Sequence, residues 1–157
     1  MLLIKSLFLK SDIDTETLAA TLAKVITSPC IIFLEGPLGA GKTTFLRGFL
    51  RALGFSGHVK SPTFTLLETY SFNQQVIVHM DLYRLKNAAE LEMIGFRDYL
   101  TDDAIFVIEW PKKVENQLPK PSLLCNIKIP ANGLGRVFEI QLFPPVLDSL
   151  KTWFEGI

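Results

Sequence analysis

The segment from Gly36 to Thr43 carries the clearest chemical signal in the chain, because it matches the pattern G-x-x-x-x-G-K-S/T at every fixed position. Glycines at positions 36, 39 and 41 let successive backbone N–H groups converge on one spot without a Cβ in the way, as phosphate oxygens require. Lys42 adds a cation for β- and γ-phosphates, and the Thr43 hydroxyl can take one coordination position of Mg²⁺. The residues expected to bind a nucleotide here are Pro37, Leu38, Gly39, Ala40, Gly41, Lys42, Thr43 and Thr44.

Two acidic residues stand where apolar runs end. Glu109 follows the most apolar run of the chain, residues 104–108, and Asp81 follows residues 76–80. Acids at the carboxyl ends of neighbouring strands complete the Mg²⁺ shell or orient water opposite a phosphate-binding loop. We therefore expect Glu109 to be an exposed acid that works in catalysis with Asp81 and Lys42, while a cap on the following loop is the alternative for either acid.

Several neighbouring residues have a structural explanation beside a functional one. Thr63 and Thr65 occupy the place of a γ-phosphate-sensing hydroxyl, although a Ser/Thr turn before a strand is the better interpretation. Trp110 could stack on a base, but packing is favoured for a lone indole. His79 lies within a strand pattern, which favours a hydrogen-bonded residue in or near the core.

Strands and helices in alternation have to position these residues. The order β-α-β-α followed by two hairpins predicts an α/β fold, a P-loop NTPase-like mixed β-sheet flanked by helices, and one domain over residues 1–157. Hydrophobic periodicity predicts strands near residues 2–9, 31–34, 64–70, 75–81, 104–109, 123–129 and 136–142, and helices near 15–27, 44–53, 88–100 and 146–154.

Composition limits the possible partners and compartments. Sixteen Lys and Arg balance sixteen Asp and Glu, so the chain has no strong field to attract nucleic acid, and any contact with RNA has to be indirect or local. No apolar run approaches the roughly 18 residues of a membrane span. Cys30 and Cys125 lie in or beside apolar runs without a metal-site spacing, which indicates free thiols and a cytoplasmic location.

Four motifs in sequence order resemble those of the TsaE (YjeE) family, bacterial ATPases required for tRNA N6-threonylcarbamoyladenosine formation. They are residues 36–44 (GPLGAGKTT), 60–66 (KSPTFTL), 79–85 (HMDLYRL) and 108–111 (IEWP). The resemblance implies that Thr43 and Glu109 hold Mg²⁺, that Asp81 supports hydrolysis, that Trp110 lies near the nucleotide, and that residues 61–65 form a switch-like segment. Pro37 departs from the family, which commonly has Asp there, and its side chain is expected to point away from the phosphates.

The same resemblance implies an activity and partners. It describes an ATPase that uses ATP and Mg²⁺ inside the complex forming N6-threonylcarbamoyladenosine at position 37 of tRNAs that read ANN codons. TsaD-like and TsaB-like proteins would be its partners, tRNA would be contacted only through them, and ATP hydrolysis would reset the complex between turnovers. A small-molecule kinase and a nucleotide-gated binding module are the alternatives. The scattered arginines argue against a kinase lid, and the lack of an N-K-x-D motif argues against a GTPase.

Overall fold

The computed structural model describes residues 2–60, 62 and 64–157, which form a seven-stranded mixed sheet with helices packed against it. The strands are β1 (Leu3–Leu9), β2 (Cys30–Glu35), β3 (Leu67–Phe72), β4 (Gln75–Asp81), β5 (Ala104–Glu109), β6 (Leu123–Lys128) and β7 (Arg136–Leu142). The α-helices are α1 (Asp12–Ala23), α2 (Lys42–Ala52), α3 (Ala88–Met93) and α4 (Asp148–Gly156), and short 3-10 segments cover Phe96–Tyr99 and Pro111–Gln117. The predicted α/β class is confirmed.

Strand β2 occupies the middle of the sheet, whose order is β1-β7-β6-β2-β5-β4-β3. It pairs in parallel with β5 and β6, and β4 extends the parallel part beyond β5. The two predicted hairpins are present as the antiparallel pairs β3–β4 and β6–β7. Since β2, β4 and β5 run in the same direction, their carboxyl ends lie along one edge of the sheet, where ligands bind in open α/β folds.

The sheet separates two hydrophobic layers, and side chains along its central strands point alternately into one layer and the other. Ile32 and Leu34 belong to the core beneath α1, α2 and α4, whereas Phe33 belongs to the core on the opposite face. This alternation follows from the two-residue period of a strand. A residue at the end of β2 therefore faces either the phosphate-loop side of the sheet or the opposite side, according to whether its number is even or odd.

Several helix and strand boundaries differ from the sequence prediction. The predicted helix near 88–100 is divided, because Gly95 has a φ of +75° and this left-handed conformation ends a helix. Helix α1 begins earlier, where the Ser11 hydroxyl accepts a hydrogen bond from the Asp14 amide, and stops at Ala23. Helix α4 begins at Asp148 because Leu147 is extended. Strand β3 begins at Leu67, after Leu66 with a φ of +62°.

The structure describes only part of the expected switch-like segment, residues 61–65. Ser61 and Thr63 lie outside the described residues, while Thr65 is in a turn, where its hydroxyl donates to a Glu68 carboxylate oxygen over 3.3 Å. In the part of the chain that the structure describes, none of the helices is long and apolar enough to cross a membrane.

Substitution of Gly48 by alanine is expected to destabilise the α1–α2 contact. An added Cβ would lie 2.5 Å from the Glu16 carbonyl oxygen and 2.6 Å from its Cα, so two helix backbones would have to separate. Overpacking of this kind costs about 1–3 kcal/mol and outweighs the roughly 1 kcal/mol that alanine gains in helix propensity. Thermal unfolding should show a fall in Tm of about 2–4 °C for each kcal/mol lost.

Gly156→Ala supplies the matched control, because a Cβ at Gly156 in α4 meets no atom within 4 Å. Its Tm should equal or slightly exceed that of the parent chain. An equal Tm for Gly48→Ala and Gly156→Ala would show that the two helices have room to move apart.

Candidate nucleotide site

The connection between β2 and α2 forms a cradle of backbone amides. Gly39 and Gly41 have φ values of +77° and +106°, a left-handed conformation that glycine adopts without strain. A Cβ on Gly36 would lie 2.8 Å from the Ile127 carbonyl oxygen, so no side chain fits there. Gly41 caps α2 without a side-chain hydrogen bond, which leaves the amides of the first helical turn for an anion.

Lys42 is folded back onto this cradle. Its Nζ donates to the carbonyl oxygens of Gly36 and Pro37 over 2.6 and 2.9 Å, and it lies 4.3 Å from the centroid of the Trp110 ring. Pro37 itself is exposed and its side chain is outside the residues that line the site. The ammonium therefore lies among loop carbonyls and an indole face, within reach of the space where the amides converge.

The charge of Lys42 is held in a poorly solvated place, since the residue is 6% exposed. Burial lowers the pKa of its ammonium, and the carboxylates of Glu109, Asp81 and Glu35 oppose that shift. A cation that water solvates poorly favours an anion beside it, and these carboxylates supply part of that negative charge. Of these three acids, Glu35 was not predicted to lie near Lys42, and it does not line the same cavity.

Glu109 and Asp81 are neighbours at the carboxyl ends of β5 and β4, where the parallel register pairs them. The expectation that Glu109 is exposed is wrong, because it is only 3% exposed. Its Oε2 lies 2.7 Å from Nε2 of His79, which is completely buried, as the strand pattern predicted. The chain then turns back over the strand end, where Trp110 has a φ of +59° and donates its amide to the Leu34 carbonyl.

Asp81 is half-buried, and its Oδ1 accepts a hydrogen bond from the Tyr83 amide over 3.1 Å. Burial raises the pKa of the Asp81 carboxyl, and the neighbouring Glu109 carboxylate raises it further, while the Tyr83 amide, His79 and Lys42 act in the opposite direction. An acid with a raised pKa next to a second acid is typical of a functional site.

Asp81→Asn should raise the Tm of the chain at neutral pH when nucleotide and metal are absent. The folded state takes up the Asp81 proton more readily than the unfolded state, whose pKa is about 3.9, so the ionised carboxylate opposes folding above the raised pKa. The difference in Tm should shrink as the pH falls through that pKa. Thermal unfolding from pH 8 to pH 4 in EDTA checks this, with the exposed Asp102→Asn as control. A lower Tm for Asp81→Asn at pH 7 would show that the ionised Asp81 carboxylate stabilises the fold, contrary to this prediction.

These groups open into one cavity of about 550 Å³. It is lined by Asp12, Leu38, Gly39, Ala40, Gly41, Lys42, Thr43, Thr44, Asp81, Tyr83, Arg84, Glu109, Trp110 and Arg136. The structure thus brings together the predicted loop residues except Pro37, both predicted acids and the predicted tryptophan. A volume of this size is typical of a small-molecule site.

Sequence reasoning missed four residues that line this cavity. Tyr83 and Arg84 stand close to Asp81 in the sequence, so the motif that contains Asp81 already pointed to them. Asp12 begins α1, and Arg136 begins β7. The Arg136 guanidinium donates from Nη2 to the Gly39 carbonyl over 3.1 Å, a contact that no local pattern could indicate.

A larger cavity of about 740 Å³ lies on the opposite face of the sheet. Phe33 and Glu35 of β2 line it together with Leu124, and neither the glycine-rich loop nor the Asp81–Glu109 pair contributes to it. Size alone would favour this cavity, but the convergent amides, the cation and the paired acids favour the smaller one as the candidate functional site.

The donors around the smaller cavity suit a hard cation that also binds a ligand's phosphates. Across residues 2–60, 62 and 64–157, no group of three or more His, Cys, Asp or Glu side chains is placed to hold a metal. The Thr43 hydroxyl and the Glu109 carboxylate are oxygen ligands of the kind that Mg²⁺ prefers. Mg²⁺ keeps several waters and also binds phosphate oxygens, so a site with only a few protein ligands suits it. Zinc usually takes three or four protein ligands, so the same site suits zinc poorly.

Comparison with known proteins gives concordant matches. A family model described as "Threonylcarbamoyl adenosine biosynthesis protein TsaE" matches residues 9–136. A Haemophilus influenzae protein named tRNA threonylcarbamoyladenosine biosynthesis protein TsaE is 48% identical over 110 residues, 69% of this chain and 70% of that protein. The Bacillus subtilis protein of the same name is 37% identical over 115 residues, 73% of this chain and 72% of its own length. A crystal structure of Bacillus subtilis YdiB superposes with a TM-score of 0.78 at 27% identity and covers 99% of this chain and 95% of YdiB.

Proposed function

This chain belongs to the TsaE family, and from that premise we propose that it is a P-loop ATPase in the bacterial complex that forms N6-threonylcarbamoyladenosine at position 37 of tRNAs reading ANN codons. One observation carries the ATPase part of the proposal. The amide cradle, Lys42 and the acids Asp81 and Glu109 line the same cavity, so cation, hydrogen-bond donors and carboxylates converge on one ligand. That combination suits the triphosphate of ATP.

Each residue has a proposed task in hydrolysis. The amides of Gly39 and Gly41 bind phosphate oxygens, and Lys42 exchanges its two carbonyl partners for the β- and γ-phosphates. Glu109 or Asp81 orients the attacking water. Trp110 packs over Lys42 and keeps water from its ammonium, which strengthens the attraction to phosphate.

Thr43 and Glu109 are the residues proposed to hold Mg²⁺ with the phosphates. The bound ion would neutralise charge that develops on the phosphate oxygens. The protein's own contribution is to keep both residues in the wall of the cavity before the nucleotide arrives.

We propose TsaD-like and TsaB-like proteins as partners, with tRNA contacted only through them. The names of the relatives place those proteins in tRNA threonylcarbamoyladenosine biosynthesis, which supports a role beside other proteins of that process. A cytoplasmic location is part of the proposal, and it suits two buried free thiols. Burial raises the pKa of the Cys125 thiol to about 12, so this thiol stays protonated and unreactive.

The isolated chain should hydrolyse ATP slowly without any phosphate acceptor and should bind free tRNA weakly. A formal net charge of zero gives little counterion release on a polyanion, so filter binding near physiological salt should show weak retention of labelled tRNA. Phosphate release should change when TsaD-like and TsaB-like proteins are added. Lys42→Ala gives the background rate.

Two results would redirect the proposal. Phosphate transfer that requires a small-molecule acceptor would favour a kinase, whereas tight tRNA binding by the chain alone would favour an RNA-binding ATPase. A phosphate-release rate that partners leave unchanged would remove the partner-dependent part of the proposal.

A further inference from the structure

We propose that His79 is a positioning residue for Glu109: its imidazole holds one carboxylate oxygen and thereby presents the other to the nucleotide cavity. The inference rests on the proposed ATPase function and assigns a task to a residue that the hydrolytic scheme above does not use. His79 does not line the nucleotide cavity, so it would act only through Glu109.

The sheet places the two side chains within direct reach. His79 and Asp81 lie two residues apart on β4 and so share a face, and Asp81 is paired with Glu109 across the parallel β4–β5 register. The His79 side chain consequently approaches Glu109 from the amino-terminal side, deeper in the sheet. Nε2 and Oε2 are 2.7 Å apart, and the two side chains are 0% and 5% exposed.

The proposal assigns the ring hydrogen to Nε2. This nitrogen faces a carboxylate oxygen, and an oxygen of that kind accepts, so Nε2–H of His79 is the donor to Glu109. Nδ1 is the one buried side-chain nitrogen or oxygen without a partner in the described part of the chain. A buried imidazole that uses one of its two nitrogens, and directs it at a cavity-lining acid, is difficult to explain as a stabilising core residue.

The consequence for Glu109 is a restricted carboxylate. Oε2 is occupied by His79, and within residues 2–60, 62 and 64–157 Oε1 accepts no hydrogen bond. A glutamate without this contact would sample several rotamers and would have to be ordered during each reaction cycle. Hydrogen bonds that hold acids in this way change activity by roughly 10–100-fold when removed.

Three substitutions at position 79 separate positioning from packing. His79→Leu removes the donor and should lower kcat about 10–100-fold, while the Kd for ADP stays within about threefold, because Glu109 acts mainly on the developing charge. Glutamine carries its amide nitrogen about as far from the backbone as Nε2, whereas asparagine carries it near the position of Nδ1. His79→Gln should therefore restore most of kcat, and His79→Asn should not.

The Gln and Asn variants keep the inference testable even if leucine destabilises the fold. Both place an amide in the same buried site, so their comparison at temperatures well below both Tm values cancels the cost of burial. Equal kcat values for His79→Gln and His79→Asn, or a parental kcat for His79→Leu, would overturn the positioning role.

A double substitution tests whether His79 acts through Glu109. In a Glu109→Gln background, His79→Leu should lower kcat further by less than about twofold, because the carboxylate it holds is already gone. Independent effects would multiply, and that result would contradict the inference. The Tm of each single variant and of the double variant is measured as well. A general loss of folding would then appear as a lower Tm.

A spectroscopic test does not depend on turnover. The chain has only two histidines, so long-range ¹H–¹⁵N spectra can report the tautomer of His79, with His58→Ala used for assignment. The Nε2–H tautomer is expected, and the Nδ1–H tautomer would overturn the inference. If the parental chain hydrolyses ATP and the position-79 series does not differ, only the positioning role fails. If the parental chain never hydrolyses ATP, with or without partners, the proposed function fails as well.

Discussion

Lys42→Ala is expected to reduce ATP hydrolysis by at least about 100-fold and to weaken nucleotide binding, because it removes the ammonium that reaches the β- and γ-phosphates. The ammonium is buried and already desolvated, so its attraction to phosphate is stronger than that of a surface lysine. Phosphate-release assays at saturating Mg²⁺-ATP measure the rate. Titration calorimetry with ADP measures the affinity.

Two further measurements make this result specific. ADP should raise the Tm of the parental chain by mass action but not that of Lys42→Ala, whose nucleotide-free Tm should remain close to parental. Lys128→Ala removes the same charge from an exposed side chain on β6 and should behave as the parent does. A parental hydrolysis rate in Lys42→Ala would show that the phosphate-loop assignment is wrong.

Glu109→Gln is expected to lower kcat by about 10²–10³-fold while the Kd for ADP changes little. A metal-holding or water-orienting acid acts mostly on charge that develops during phosphoryl transfer, so its loss affects turnover more than affinity. Glutamine keeps the shape of the side chain and an oxygen that can accept from His79 Nε2–H over the same short contact. Single-turnover and steady-state rates give kcat, and titration with ADP gives the Kd.

Unfolding is the competing explanation for such a loss. Glu109→Ala leaves the buried His79 without its acceptor and should lower the Tm, whereas Glu109→Gln should keep the Tm in the presence of ADP. Glu155→Gln, an exposed change of the same kind on α4, is the control. A large loss of Tm in Glu109→Gln would indicate that Glu109 is a structural acid.

The features that local sequence could predict are those set by a few adjacent residues. The loop between β2 and α2 was predictable because its glycines and Lys42 all lie within one short turn of the chain. The β3–β4 hairpin was predictable for the same reason, since Asn73 and Gln74, with φ values of +49° and +62°, form its turn. The buried runs of β2 and β5 likewise predicted the central strands.

The features that failed depend on distant parts of the chain. The burial of Glu109 is produced by His79 on another strand and by the left-handed turn at Trp110. Arg136 reaches Gly39 only because β7 lies on the β6 side of β2 in the sheet. The break at Gly95 is a local exception, because a glycine in the left-handed conformation divides the helix that periodicity predicted over residues 88–100. Hydrophobic periodicity shows which side chains share a face of a helix or strand, but it does not show which distant residues pack against that face.

The strand order has a consequence for folding on the ribosome. Strand β2 emerges early but lies between β5 and β6, which are both made much later, and β1 waits for β7, whose Leu142 pairs with Leu3. A nascent chain that has emerged only through α2 carries the complete phosphate-loop sequence without the neighbours of its strand. Because Gly36 closes against Ile127, the cradle can reach its final shape only after β6 has left the exit tunnel. The proposed nucleotide site is therefore completed late in the synthesis of each molecule.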